Sequence, residues 1–220
     1  MTLSVDLYWS FRSPYSYLAT ARVVAMAAQY DVAVNVRPIY PLAVREPDYF
    51  RSVNPLQGAY FRIDAPRVAE FYGIPFVWPD PDPVSLNLET RRVDAEQPHI
   101  RRLTRLGAAA ARRGPGLAFI HEVSRIIWGG VKDWHLGTHM VEAAARAGLD
   151  LAELDEEVAA DPDGFDAEIA ANQAALAAAG HWGVPTLVFE GEPFFGQDRL
   201  DICVWRMKQR GLTEREAAGT

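Results

Sequence analysis

Three stretches of this 220-residue chain put polar or hydrogen-bonding groups where a ligand could meet the backbone. They are "SFRSPYSYL" (Ser10 to Leu18), "GHWGVPT" (Gly180 to Thr186) and "FFGQDRL" (Phe194 to Leu200). In the first, Ser13 and Pro14 stand where a strand-like pattern hands over to a helical one. Serine is a preferred helix cap and proline a preferred first-turn residue, so capping alone accounts for the pair. The start of a helix also offers unpaired N–H groups and the positive end of a dipole, which suit an anion. Ligands of open α/β sheets gather at the carboxyl ends of strands, and Ser13 follows the first strand.

In the second stretch, Pro185 opens a strand although proline cannot donate a ladder hydrogen bond. A cis Val184–Pro185 bond would turn the Val184 N–H and C=O outward, free to pair with a short extended peptide. An ordinary trans turn is the alternative reading. In the third, Asp198 either caps the last helix or, with the adjacent N–H groups, grips an ammonium and a carboxylate at one end of a ligand. Both readings stay open at this level.

The elements that must carry these groups follow from periodicity. Leu3, Val5, Leu7 and Trp9 alternate, as in a half-buried strand. From Pro14 the apolar residues Leu18, Ala21, Val24, Ala25 and Ala28 recur at helical spacing up to Gln29. Val32, Val34 and Val36 alternate again, which makes a parallel βαβ unit. Between Pro41 and Pro83 the chain is rich in proline and aromatics, with one helix expected over 60–72. Helical patterns then cover 99–113, 117–128, 136–147, 151–159 and 165–179, several ending at Gly114, Gly148 and Gly180. A strand over 186–190, a Gly191-Glu192 turn and "PFFG" predict a hairpin. A final helix with Leu200, Val204 and Met207 inward closes the chain. The expected fold is therefore α/β, thioredoxin-like, with a large all-helical insertion. Residues 1–41 and 181–220 form its two halves, and 42–180 form the insertion.

The formal charge of −7 speaks against nucleic acid and against an anionic membrane surface, both of which call for clustered cation. No run of about eighteen apolar residues predicts a membrane span. The single cysteine, Cys203, rules out an intramolecular disulfide and any thiol-pair motif. The opening "MTLSVDLYW" lacks a basic n-region and a long apolar stretch, so the expectation is a cytoplasmic protein. His135 and His139 are four apart without an evident third ligand, and no metal site is expected. Trp9, Phe11, Tyr15, Tyr40 and Trp128 are candidates to wall a flat aromatic ligand or simply to fill the core. His181 and Trp182 are in the same position.

Taken together, "SPYSYL", "GVPT" and "GQDRLD" make the chain resemble the 2-hydroxychromene-2-carboxylate isomerases. That family is related to kappa-class glutathione transferases within the DsbA-like thioredoxin superfamily. In DsbA-like oxidoreductases the capping position is the first Cys of Cys-x-x-Cys. Ser13 and Ser16 stand there in this chain, so dithiol exchange is excluded for want of sulfur.

The resemblance implies glutathione as a borrowed thiol, a small aromatic substrate and a homodimer. It implies that Ser13 hydrogen-bonds the glutathione sulfur. Val184, before Pro185, would pair with the cysteinyl backbone, Gln197 and Asp198 would hold the γ-glutamyl end, and Asn54 would reach the thiol region. The basic residue that often follows that asparagine is missing from "SVNPLQGAYF", which points to a divergent substrate.

The implied chemistry is isomerisation about a conjugated C=C by reversible thiolate addition. A free thiol, with pKa near 8.5, is only a few per cent ionised at pH 7. A hydroxyl donor and a helix start both favour the anion. A kappa-like transferase and a thioredoxin-like binder without chemistry are the alternatives.

Overall fold

The computed structural model describes residues 2–48, 54–87, 89–90 and 92–216. Strand β1 (Leu3–Trp9), helix α1 (Pro14–Gln29) and strand β2 (Val32–Pro38) begin the chain at the residues that periodicity indicated. The two strands are parallel and in register from Leu3 opposite Val32 to Trp9 opposite Pro38. At the other end, β5 (Thr186–Phe189) runs antiparallel to β1, and β6 (Glu192–Phe195) runs antiparallel to β5. The four strands form one sheet in the order β2-β1-β5-β6. This is the thioredoxin-like α/β arrangement with helices inserted between its halves.

The insertion contains α2 (Leu42–Arg45), α3 (Pro55–Tyr72), α4 (Pro98–Arg112), α5 (Gly116–Trp128), α6 (His139–Arg146), α7 (Leu151–Ala160) and α8 (Pro162–Ala178). A two-stranded ladder of β3 (Leu86–Asn87) and β4 (Arg92–Val93) interrupts it. The chain closes with a 3-10 turn (Gln197–Arg199) and α9 (Leu200–Lys208). None of the described helices is long and apolar enough to cross a membrane.

Several boundaries differ from the periodic reading for identifiable reasons. Helix α3 starts at Pro55 rather than residue 60, because Asn54 caps it and Pro55 occupies its first turn. Helix α6 starts at His139 rather than residue 136, after Gly137 with a φ of 61°. The hairpin turn is Glu190-Gly191 rather than Gly191-Glu192. Both central residues have positive φ, 49° and 82°, which matches the right-handed twist of the flanking strands.

The buried face of α1 is also rotated from the expected one. Ser16, Leu18, Ala19, Thr20, Val23 and Met26 are inside, whereas Ala21, Ala25 and Ala28 are exposed. Alanine has too little apolar surface to dictate which side of a helix turns inward. In α9 the buried residues are Leu200, Cys203 and Met207, with Val204 half-buried.

Helices α4 and α8 lie against β2, while α5 packs against α1. The centre is aromatic. Phe11 meets Trp9 edge-on at 4.5 Å and Phe119 at 6.4 Å, and all three are fully buried. Trp128 is buried as well and donates its Nε1–H to the Phe11 carbonyl at 2.9 Å, which ties α5 to the loop after β1. Three of the expected wall aromatics, Trp9, Phe11 and Trp128, are thus core residues.

Gly107 of α4 lies where a Cβ would come within 3.0 Å of the Phe11 ring. With Phe11 held between Trp9 and Phe119, Gly107→Ala is expected to cost about 1–2 kcal/mol by overpacking. Urea unfolding should show a lower midpoint at an unchanged slope, and an unchanged midpoint would mean that Phe11 yields freely.

Candidate active site

The β1–α1 connection is built so that Ser13 ends at the mouth of the helix. Its backbone is extended (φ −95°, ψ 113°), and its Oγ accepts the Ser16 N–H at 3.1 Å. The Ser13 carbonyl accepts the Tyr17 N–H at 3.1 Å, starting the helical ladder. Pro14 has no N–H to satisfy, and the Tyr15 N–H has no hydrogen-bond partner among the described residues. One donor and the dipole end therefore remain at the helix start. Ser16 itself is buried, one turn inward.

The Val184–Pro185 bond is cis. The Ser13 hydroxyl donates across to the Val184 carbonyl at 3.4 Å, so the first and second sequence stretches meet. That contact is long against the usual 2.7–2.8 Å of an O–H···O bond, so the proton is only weakly engaged. The Pro185 carbonyl accepts the Gly196 N–H at 2.9 Å, which draws the third stretch to the same edge.

In that third stretch, Asp198 is exposed and ion-paired with Arg199 at 2.7 Å. It does not cap α9, which has no side-chain cap bond. Gln197 lies beside α1, where Arg22 donates to its carbonyl at 2.7 Å and to its Oε1 at 3.0 Å.

Asn54 makes its hydrogen bond within its own helix start. Its Oδ1 accepts the Leu56 N–H at 3.0 Å as the cap of α3, and its side chain is exposed. Helix α3 reaches the site through Asp64. The Tyr15 hydroxyl donates to Asp64 Oδ2 at 2.7 Å, and the Tyr60 hydroxyl to Asp64 Oδ1 at 3.0 Å. Burial first, and then the Asp64 hydrogen bond and charge, raise the Tyr15 pKa well above its ordinary value. Tyr15 is thus a neutral donor. Its ring meets Phe61 at 5.3 Å, and Phe61 leads to Trp78 at 5.9 Å.

These partly exposed rings, unlike the buried Trp9, Phe11 and Trp128, form an aromatic row that starts at Tyr15, two residues after Ser13. Tyr40 is also buried and donates to Asp166 at 2.5 Å. On the other side of Val184, the His181 ring is stacked between Trp182 at 4.5 Å and Phe195 at 4.0 Å. The Gly183 N–H donates to His181 Nδ1 at 2.9 Å, which leaves the hydrogen of the neutral ring on Nε2. Burial lowers the His181 pKa.

Periodicity could not find Asp64, Arg12 or Arg22. Arg12 next to Ser13 makes a bidentate pair with Asp82, at 2.9 and 3.2 Å, and so anchors the loop that approaches the helix mouth. His135 packs against His99 at 4.6 Å, and among the described residues no group of three or more His, Cys, Asp or Glu could hold a metal.

The family model described as the DSBA-like thioredoxin domain matches residues 4–207. The chain belongs to that family. Among curated proteins, this DSBA-like chain is similar to 2-hydroxychromene-2-carboxylate isomerases. One from Pseudomonas sp. (strain C18) is 26% identical over 205 residues, 89% of this chain and 86% of the relative. One from Pseudomonas putida is also 26% identical, with 89% and 90% covered.

Among solved structures, a 2-hydroxychromene-2-carboxylate isomerase shares the fold with a TM-score of 0.70. It is 24% identical, and the match covers 94% of this chain and 96% of that one. The cytosolic disulfide reductase DsbM of Pseudomonas aeruginosa, solved with GSH, shares it with a TM-score of 0.59 at 17% identity. That match covers 97% and 90% of the two chains.

Ser13 and Ser16 bring no sulfur to the site, and the chain's one cysteine is elsewhere. Cys203 is fully buried in α9, and burial pushes its thiol up to about 12. It is therefore expected to resist alkylation by iodoacetamide in the folded protein at pH 8 and to react once urea unfolds it. Rapid native-state labelling would contradict that placement.

Proposed function

We propose that this chain is a glutathione-dependent isomerase of the 2-hydroxychromene-2-carboxylate type. The observation that carries the reading is the Ser13 hydroxyl. One lone pair is taken by the Ser16 N–H, and the proton is held only loosely by the Val184 carbonyl. The Cys-to-Ser replacement at both motif positions and the two isomerase relatives favour a thiol brought in from outside. The DsbM structure with GSH supports glutathione as that thiol.

In this reading Ser13 turns its O–H to the glutathione sulfur, and the Tyr15 N–H faces the same anion. Val184 and Pro185 present the strand edge to the cysteinyl backbone. Gln197 and Asp198 hold the γ-glutamyl end, with amide donors for its carboxylate and a carboxylate for its ammonium. Asn54, with its oxygen committed to the Leu56 N–H, has its Nδ2 amino group to offer. Residues 1–41 and 181–220 act as the thiol-binding unit, and the insertion over 42–180 supplies the substrate wall through Phe61 and Trp78.

The step balances without an oxidant or a metal. The thiolate adds to the conjugated carbon, forming a C–S bond, and the π pair moves onto the carbonyl oxygen. The former double bond rotates. The pair then returns, the C–S bond breaks, and the thiolate leaves unchanged. A hydrogen bond to a charged sulfur contributes about 1.5–3 kcal/mol, equivalent to one to two pKa units.

Incubation with a conjugated 2-hydroxy aromatic-pathway acid should give isomer while free glutathione stays constant. Stoichiometric loss of glutathione would instead identify a transferase, and no turnover a binding protein. Ser13→Ala should raise the pKa of bound glutathione by one to two units, lowering the thiolate fraction at pH 7 by about tenfold or more. An ultraviolet thiolate titration that is the same in both proteins would remove Ser13 from the mechanism.

A further inference from the structure

The Gln197 side chain is a hydrogen-bonding group that can face either way. Its carbonyl end accepts and its amino end donates, and a ligand carboxylate needs the amino end. What decides the direction is Arg22, on the third turn of α1. A guanidinium has only donors, so the Gln197 atom 3.0 Å from Arg22 has to be Oε1. The same Arg22 nitrogen donates to the Gln197 backbone carbonyl at 2.7 Å, so both oxygens of this residue are held by one cation.

Arg22 is in turn fixed. Its guanidinium carbon lies 4.4 Å from the centre of the Tyr72 ring, Asp201 is 3.7 Å away, and its side chain is 19% exposed. The Gln197 Nε2 amino group makes no hydrogen bond to a described residue. The turn therefore leaves a pair of N–H donors uncommitted, one residue before the exposed Asp198 carboxylate. That arrangement complements the carboxylate and ammonium of a free α-amino acid end.

We propose that Arg22 is a positioning residue that fixes the Gln197 amide with its donors outward, making this turn selective for a ligand end that carries both an ammonium and a carboxylate. The inference rests on the glutathione reading and deepens it. Without Arg22 the amide rotates, and its carbonyl spends part of the time facing the ligand carboxylate, which it repels.

Calorimetry of wild type, Arg22→Met, Gln197→Ala and the double variant tests this with two ligands. One is glutathione, and the other is 4-aminobutyryl-cysteinyl-glycine, which lacks only the α-carboxylate. Arg22→Met should weaken glutathione binding about tenfold, the loss of roughly one charge-assisted hydrogen bond. It should leave the decarboxylated analogue unaffected, and the double variant should be no weaker than Gln197→Ala alone.

Equal weakening of both ligands would make Arg22 a structural residue and overturn the proposal. So would an undiminished Arg22→Met effect in the Gln197→Ala background, which would mean direct contact with the ligand. Wild-type protein that binds glutathione while Arg22→Met binds it equally would overturn this proposal alone. Wild-type protein that takes up neither ligand would overturn the glutathione reading and this one with it.

Discussion

The candidate site is organised around one weak hydrogen bond, from the Ser13 hydroxyl to the Val184 carbonyl across 3.4 Å. It spans 171 residues of sequence and links the start of α1 to the loop before β5, whose ladder with β1 joins the two halves of the sheet. It is also weak in a useful sense. The oxygen is fixed by the Ser16 N–H, so the hydroxyl cannot wander, yet its proton is free to turn to a better acceptor. A sulfur anion arriving between α1 and Val184 would be that acceptor, because hydrogen bonds to charged groups are roughly twice as strong as neutral ones.

The scaffold around that contact is rigid where it has to be. Trp128 Nε1 holds the Phe11 carbonyl, and Arg12 grips Asp82 with two hydrogen bonds, so residues 11 and 12 are pinned on either side of the loop backbone. Trp9 Nε1 donates to Thr20, which itself donates to the Ser16 carbonyl, and this fixes the first turns of α1 against β1. The insertion adds its part through Tyr15 and Asp64. Positioning of a single hydroxyl thus draws on β1, α1, α3, α5 and the cis-proline loop. That convergence suits a site whose reacting sulfur is not covalently part of the chain and has to be placed by geometry alone.

Much of this was legible in the residues. Leu3 to Trp9 and Val32 to Val36 alternate cleanly because each strand buries one side more than the other, and Ser13-Pro14 marks a helix start by its own chemistry. Other features were not, for physical reasons. The alanines of α1 carry no directional signal, so the buried face emerges only when α5 packs on it. Trp9, Phe11 and Trp128 look the same in sequence whether they fill a core or wall a cleft, and burial separates them from Phe61 and Trp78. Asp64, Arg12 and Arg22 act through partners 49, 70 and 175 positions away, beyond the reach of any local pattern. Asn54, singled out by resemblance, also caps its own helix through Oδ1, a bond the residue type allows and periodicity did not place.

The most direct test is a crystal structure of the protein grown with glutathione. The sulfur should lie within hydrogen-bonding distance of Ser13 Oγ, with the cysteinyl backbone paired to Val184. A tripeptide bound with its sulfur pointing away from α1, and the Ser13 hydroxyl still on the Val184 carbonyl, would contradict the account.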